Sequence, residues 1–251
     1  MEKYKSKLSP SSLRLYDKCE RCFWLTQHKI WRRHSGIFPS LPSGMDRVIK
    51  THFDTFRDKG NLPPEIANNH QCKNMELFKD MEKLKVWRKN FVGISFTDEN
   101  GNILRGAVDD IMVNKENNKL IVVDYKTKGW PVKDIKKEKV FYQNQMNIYA
   151  FLLKKNGYEV EDFGFLLFYT PNKILKTGEI IFNTILIKMD VEPIIGEDLW
   201  YLGKSLLHQK CPKQKCDFCQ VVKNPNTYKE KLKKKSLRLA HPNGYPEGEI
   251  K

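Results

Sequence analysis

Ile103-Leu-Arg-Gly-Ala-Val-Asp-Asp-Ile-Met-Val113, Asn114-Lys-Glu-Asn-Asn118 and Lys119-Leu-Ile-Val-Val-Asp-Tyr-Lys126 form the stretch whose reading decides the fold. Two β-rich runs flank five turn-forming residues, which is the pattern of a hairpin. Folding it symmetrically about Glu116 and Asn117 sets Asp109 across from Asp124. Directly opposed side chains have Cβ atoms roughly 4.5 to 5.5 Å apart, where two like charges repel unless a cation lies between them. Alternation along the strand puts Lys126 on the face of Asp124 and turns Tyr125 away. Ile111, Val113, Leu120 and Val122 share the face of the two acids, so solvation does not explain the acids. Val108, Met112, Ile121 and Val123 fall on the other face. Apolar side chains on both faces require helices on both sides. A one-residue bulge would break this register.

Outward from the hairpin, Asp98-Glu-Asn-Gly101 reads as a turn after a strand near 91–97, so the sheet begins as an antiparallel meander. Further strands are expected near 163–170 and 180–187, and helices near 10–33, 45–59, 75–90, 134–155 and 192–208. A chain of 251 residues builds one substantial core, expected over residues 1–220. Residues 221–251 read as a basic tail, lysine-rich from Lys229 to Arg238 and Pro/Gly-rich from His241, and are expected to be mobile. No internal repeat is present, and apolar runs such as Phe163 to Tyr169 are far shorter than the ~20 residues a membrane span needs. The expectation is a soluble, cytoplasmic protein that does not bind membrane.

The formal charge is +15; the tail holds eight Lys/Arg against three Glu, which leaves +10 on the body. A polyanion is therefore attracted to the body and not only to the tail. Carboxylates are hard ligands suited to magnesium or manganese, which polarise a phosphate and lower the pKa of bound water. An ammonium beside them, here Lys126, orients that water or neutralises charge developing on phosphate. Gln145 and Tyr149 are i and i+4 on the helix expected near 134–155 and share one of its faces. The combination is one that metal-dependent phosphodiester cleavage uses.

Gly106-x-x-Asp109, Asp124-x-Lys126 and Gln145-x-x-x-Tyr149, in this order and spacing, resemble the PD-(D/E)xK nuclease superfamily. The likeness is to its RecB-like branch, which includes CRISPR-associated RecB-like exonucleases and AddB-type nuclease domains. Leu8-Ser9-x-Ser11-x-Leu13-x-x-Tyr16-x-x-Cys19 followed by Phe23 is similar to the branch's opening helix, so short motifs carry the likeness over roughly residues 8 to 219. The resemblance implies an α/β fold, a restriction-endonuclease-like mixed sheet flanked by helices on both faces. It implies Asp109 and Asp124 as metal ligands, Lys126 as the catalytic lysine, and Gln145 with Tyr149 on the substrate side. It also implies a histidine ligand on a helix before the sheet, a few residues after a glycine. Here His52 follows Gly44 by eight residues, further than the pattern expects, and Asp46 by two. Either is a candidate ligand, and Asp46 equally suits the dipole of a helix N-terminus.

Cysteine supplies a second constellation. Cys19-x-x-Cys22 and Cys211-x4-Cys216-x2-Cys219 hold five of the six cysteines, and Cys72 stands alone. In a chain expected to lack a secretory signal, this spacing favours metal over disulfides. The resemblance implies that Cys19 and the trio Cys211, Cys216 and Cys219 hold an iron-sulfur cluster of the 4Fe-4S type, tying the chain ends together. The C-terminal spacing is reversed relative to the branch, and Cys22 is the alternative fourth ligand. Four thiolates fit either such a cluster or structural zinc.

The function expected from these readings is a metal-dependent DNA nuclease, an exonuclease acting on single-stranded DNA or DNA ends in repair, recombination or CRISPR-type processing. A helicase or other repair or CRISPR protein is the partner such a context implies. The alternatives are a non-catalytic DNA-binding or assembly module that keeps the fold, and an RNA-directed nuclease. Trp31, Trp87 and Trp130 are candidate base-stacking residues, with Trp130 the one expected to border the cleft.

Overall fold

The computed structural model of the chain describes residues 5–33, 36 and 39–225. Within them, strand β1 (Lys7–Leu8) leads into helices α1 (Pro10–Lys18) and α2 (Glu20–Gln27). Next come α3 (Ser40–Arg57), α4 (Pro64–Ala67), strand β2 (Met75–Leu77) and α5 (Met81–Trp87). The chain then runs through β3 (Ile94–Thr97), β4 (Ile103–Gly106), β5 (Asp110–Asn114), β6 (Leu120–Thr127) and α6 (Ile135–Lys155). Strands β7 (Phe163–Ile174) and β8 (Ile180–Asp190) and helix α7 (Pro193–Leu207) complete the body. The lysine-rich and Pro/Gly-rich parts of the expected tail lie outside the described residues. Val222, at its start, is buried.

The hairpin folds in the symmetric register. Asp110 pairs with Val123, Ile111 with Val122, Met112 with Ile121 and Val113 with Leu120. Asn118 takes the left-handed conformation at φ 60°, which Asn tolerates better than other non-glycine residues. Around this pair a five-stranded mixed sheet forms in the order β2-β5-β6-β7-β8, with β6 and β7 parallel because α6 carries the chain across between them.

The expected strand 103–113 is in fact two strands in two sheets. β4 pairs with β3 and β1 in a separate three-stranded sheet, and β5 enters the large one. At the change-over the backbone bonds to the end of α5 instead of to a strand: Val108 N–H donates to the Trp87 carbonyl at 3.2 Å, and Arg88 Nε donates to the Asp109 carbonyl at 2.8 Å. The antiparallel meander therefore stops at β4. Val108, beyond the pleat, joins the core on the α6 side and not the expected opposite face.

Two other elements differ from expectation. The helix expected over 10–33 breaks at Cys19, which is extended at φ −171° and ψ 106° and caps both α1 and α2. The helix expected from residue 75 opens instead as β2, whose Met75 and Leu77 alternate inward, and α5 starts only where the Asp80 side chain accepts from the Lys83 N–H.

Helices cover both faces of the large sheet. Ile111, Leu120, Val122, Leu166 and Phe168 form one core with Ile148 and Leu152 of α6. Met112, Ile121, Val123, Phe165 and Leu167 form the other with Ile49 and Phe53 of α3. Among the described residues no helix is long and apolar enough to cross a membrane.

Candidate active site

Asp124 sits on β6 and is only 2% exposed, with its neighbours supplied by α6. Gln145 Nε2 donates to Asp124 Oδ1 at 3.1 Å and to the Tyr149 hydroxyl at 2.8 Å. Lys126 Nζ forms an ion pair with Asp124 Oδ2, donates to Gln145 Oε1 at 3.4 Å and lies 4.3 Å from the centre of the Tyr142 ring. Although ion-paired, Asp124 Oδ2 has no hydrogen bond of acceptable geometry. Burial pushes the Asp124 carboxyl up to about 7, with Lys126 opposing and Asp109 adding to the rise. Tyr149 is also driven well above its ordinary range, first by burial and then by Asp124. Its ring occupies the space a Cβ on Gly106 would need, since such an atom would lie 2.7 Å from Tyr149 Cε1. The glycine of the first motif therefore makes room for the tyrosine of the last.

Asp109 precedes β5 by one residue. Its Oδ2 accepts the Tyr125 N–H at 2.8 Å, and its Oδ1 meets Lys50 Nζ at 2.9 Å. Lys50, on α3, also reaches Asp46 at 2.8 Å. Burial, together with the Asp109 charge, raises the Asp46 carboxyl. Burial works against the charge of Lys50, but Asp109 and Asp46 outweigh it and hold the ammonium above its ordinary range. His52 faces elsewhere: its Nε2 is 2.9 Å from Glu65 and its ring packs edge-on against Phe56. Of the two residues considered for the helix before the sheet, the structure brings Asp46 to the carboxylates and leaves His52 with Glu65. Lys50, six residues after Gly44, makes the contact with Asp109.

A second network, on the α3 face, supports this one. Asp110 is fully buried and accepts both Arg57 Nη2 contacts at 2.7 Å, Arg88 Nη2 at 2.9 Å, the Tyr125 hydroxyl at 2.7 Å and the Ile111 N–H at 2.8 Å. Arg88 Nη1 also binds both oxygens of Asp54, at 3.0 and 2.8 Å. Through Nε on the Asp109 carbonyl, Arg88 fixes the backbone that carries the first motif acid. The sequence reading missed Lys50, Arg57, Arg88 and Asp110. An acid inside the apolar run 108–113 and the i, i+4 pair Asp46–Lys50 were the signals available for two of them.

The site opens, at Gly106, Gln145 and Tyr149, onto a cleft of about 930 Å³. Arg14, Lys18, Arg33 and Arg105 line it against the single acid Asp17. Phe91, 81% exposed, and the half-exposed Phe141 stand at its sides, with the Arg14 guanidinium 3.7 Å over the Phe141 ring. Of the tryptophans considered, Trp87 is buried and stacked on Phe78, Trp31 packs beside the cysteines, and Trp130 is exposed.

The sulfur atoms of Cys19, Cys22, Cys216 and Cys219 all lie within 4.8 Å of one another. Cys19 and Cys219 are 4.0 Å apart, Cys22 and Cys216 3.4 Å, and Cys216 and Cys219 3.8 Å. The two C-x-x-C pairs thus meet, and Cys22 takes the position expected of Cys211. Cys211 accepts from Arg21 Nη1 at 3.2 Å, while the same guanidinium holds the Pro212 and Val222 carbonyls. Arg33 donates Nε to Cys22 at 3.3 Å and Nη2 to Cys216 at 3.4 Å. Burial opposes ionisation of Cys216, but bonds from the Cys219 backbone and the Cys22 thiol bring it down to about 6. Cys72 is buried apart from the others, and burial raises its thiol to about 11.

The sequence model of one family, the PD-(D/E)XK nuclease superfamily, matches residues 70–223, more than half of the chain. The match takes in Asp109, Asp124, Lys126, Gln145 and Tyr149 and leaves out Cys19, Cys22, Asp46 and Lys50. No curated protein matches the chain in sequence.

Proposed function

The chain belongs to the PD-(D/E)XK nuclease superfamily, and from that premise we propose that it is a magnesium- or manganese-dependent deoxyribonuclease of the RecB-like type. Its substrate is single-stranded DNA or a DNA end, cut as an exonuclease does. The observation that carries this reading is Asp124: a buried carboxyl, ion-paired with Lys126 alone, whose charge the neighbouring Asp109 further opposes. A buried acid in that condition is stabilised by a cation, so the residues present fit a hard divalent ion held by Asp109 and Asp124, with Asp46 near. When bound, that ion would supply Lewis acidity toward the phosphate and the means to activate water.

The chain's own groups do the rest. Lys126 offers its ammonium where negative charge grows on the phosphate. Gln145 fixes the Asp124 carboxylate with one amide hydrogen bond and aligns the Tyr149 hydroxyl with another. Arg14, Lys18 and Arg105 draw the phosphate backbone along the cleft, and Phe91 and Phe141 offer faces for unpaired bases. The test is cleavage of end-labelled single- and double-stranded DNA, with RNA of the same sequence alongside, in Mg2+, Mn2+ or chelator. Wild-type turnover in excess chelator would refute the assignment, and cleavage of RNA alone would transfer it to the RNA-directed alternative. DNA binding without cleavage in either metal would leave a non-catalytic binding module.

For the cysteines we propose a single tetrahedral ion, zinc, in preference to a 4Fe-4S cluster. Metal–sulfur bonds of about 2.3 Å in a tetrahedron place sulfurs ~3.8 Å apart; three of the pairs here are 3.4 to 4.0 Å apart and all four sulfurs lie within 4.8 Å of one another. A cube of four irons spreads its thiolates wider, because each lies outside its own iron. Elemental analysis and the visible spectrum decide: a colourless protein with one zinc agrees, whereas brown protein with four irons does not. Cys22→Ser should lose the metal and Cys211→Ser should keep it.

A further inference from the structure

We infer that Lys50 stands where a second cation would otherwise bind, so that the carboxylate centre takes one divalent ion and not two. The inference rests on the metal-dependent reading above. Lys50 Nζ lies 2.8 Å from Asp46 and 2.9 Å from Asp109 Oδ1, with its side chain 18% exposed. An ammonium bridging two carboxylates at these distances already compensates them. The helix that carries it is anchored, because Ile49 and Phe53 of α3 are packed in the core under the sheet. Asp124, by contrast, has only the Gln145 amide bond and the Lys126 ion pair, which leaves its carboxylate as the place for the one ion.

Charge balance points the same way. Asp46, Asp109 and Asp124 against Lys50 and Lys126 leave one negative charge. One divalent ion turns this to a single positive charge, which the single negative charge of a phosphodiester neutralises. Two ions would leave two positive charges there even with the phosphodiester bound, in a largely desolvated pocket.

The test counts ions instead of turnover. Full-length protein with its thiolate-bound metal in place is titrated with Mn2+ by calorimetry, and bound Mn2+ is counted by electron paramagnetic resonance. Wild type and Lys50→Arg should each bind one Mn2+. Lys50→Ala and Lys50→Gln should each bind two, and their melting temperatures should respond more to Mn2+ than that of wild type. Using both neutral variants guards against one of them failing to fold. Two Mn2+ in wild type, or one in both neutral variants, would overturn the inference while leaving a DNA-cleaving wild type a nuclease. No Mn2+ in wild type, with no metal-dependent cleavage, would remove the inference and the nuclease reading together.

Discussion

Asp109 and Asp110 are adjacent in sequence, yet the strand turns them to opposite faces of one hairpin, and their surroundings differ accordingly. Asp110 has a complete shell of two arginines, a phenol hydroxyl and its neighbour's N–H, all between 2.7 and 2.9 Å. Asp109 has one backbone N–H and one lysine, and Asp124 beside it has one amide bond from Gln145 and the Lys126 ion pair. Tyr125 touches both acids, through its N–H on one face and its hydroxyl on the other. Burial alone therefore does not separate a structural acid from a reactive one. Completeness of the polar shell does, because a satisfied carboxylate has no capacity left for an incoming cation.

Four measurements sharpen or break this contrast. Asp124→Asn removes charge without volume, and cleavage should fall by more than about 100-fold, since even outer partners of metal ligands are worth on the order of 10- to 100-fold. Its melting temperature should fall, since Lys126 loses its acid, but by less than that of Asp110→Ala, since the amide keeps the volume and can still accept from Gln145. Normal cleavage by this variant would erase the distinction between the two faces.

Asp110→Ala should do the reverse. Leaving Arg57 and Arg88 buried without their acid should lower stability by about 3–5 kcal/mol in urea unfolding, with specific activity per folded molecule retained. A variant as stable as wild type would show that the closed shell is not structural. Arg88→Gln touches both faces and should show both effects at reduced size: about 1–3 kcal/mol of stability and roughly 10-fold in cleavage. Loss of stability alone would mean that its bond to the Asp109 carbonyl does not position the site.

The smallest effect concerns Asp98, another acid with a closed shell. Burial works against its charge, but Lys204 at 2.7 Å and bonds from Asn102 hold it down to about 2. A carboxyl depressed in the folded state adds stability above its unfolded pKa, near 4, and loses it as the pH falls toward 2. Asp98→Asn should melt a few degrees below wild type at pH 7, and the gap should narrow between pH 4 and pH 2. A gap independent of pH would assign the effect to packing.

The sequence made the hairpin register legible, since strand periodicity and the five-residue turn are both local signals. The grouping of Asp109, Asp124 and Lys126 follows from that register, whereas Gln145 and Tyr149 share a helix face by periodicity but join the acids only on the strength of the family resemblance. The change of sheet at Ala107 was hidden because the apolar run continues through it, and only the distant end of α5 ends the pairing there. Strand β2, three residues long, is too short for periodicity to reveal. Arg57 and Arg88 escaped notice because their partner Asp110 lies 53 and 22 residues away, and ion pairs across such gaps leave no local pattern. Among the cysteines, spacing offered Cys211 and Cys22 equally. Only the fold separates them, because it brings Cys22 and not Cys211 within 4.8 Å of the other three sulfurs.

The meeting of the two C-x-x-C pairs also sets an order of events in time. Cys19 and Cys219 are separated by 200 residues, so during synthesis at about 5–20 residues per second the first pair waits roughly 10 to 40 s for the second. Every strand of both sheets has been made before the last two thiols emerge. The sheets can therefore assemble from nearer pairings first, and any metal held by all four thiolates would load only after that. A chain interrupted between Lys126 and Cys216 carries the acids but never the second pair of thiols that closes the group of four.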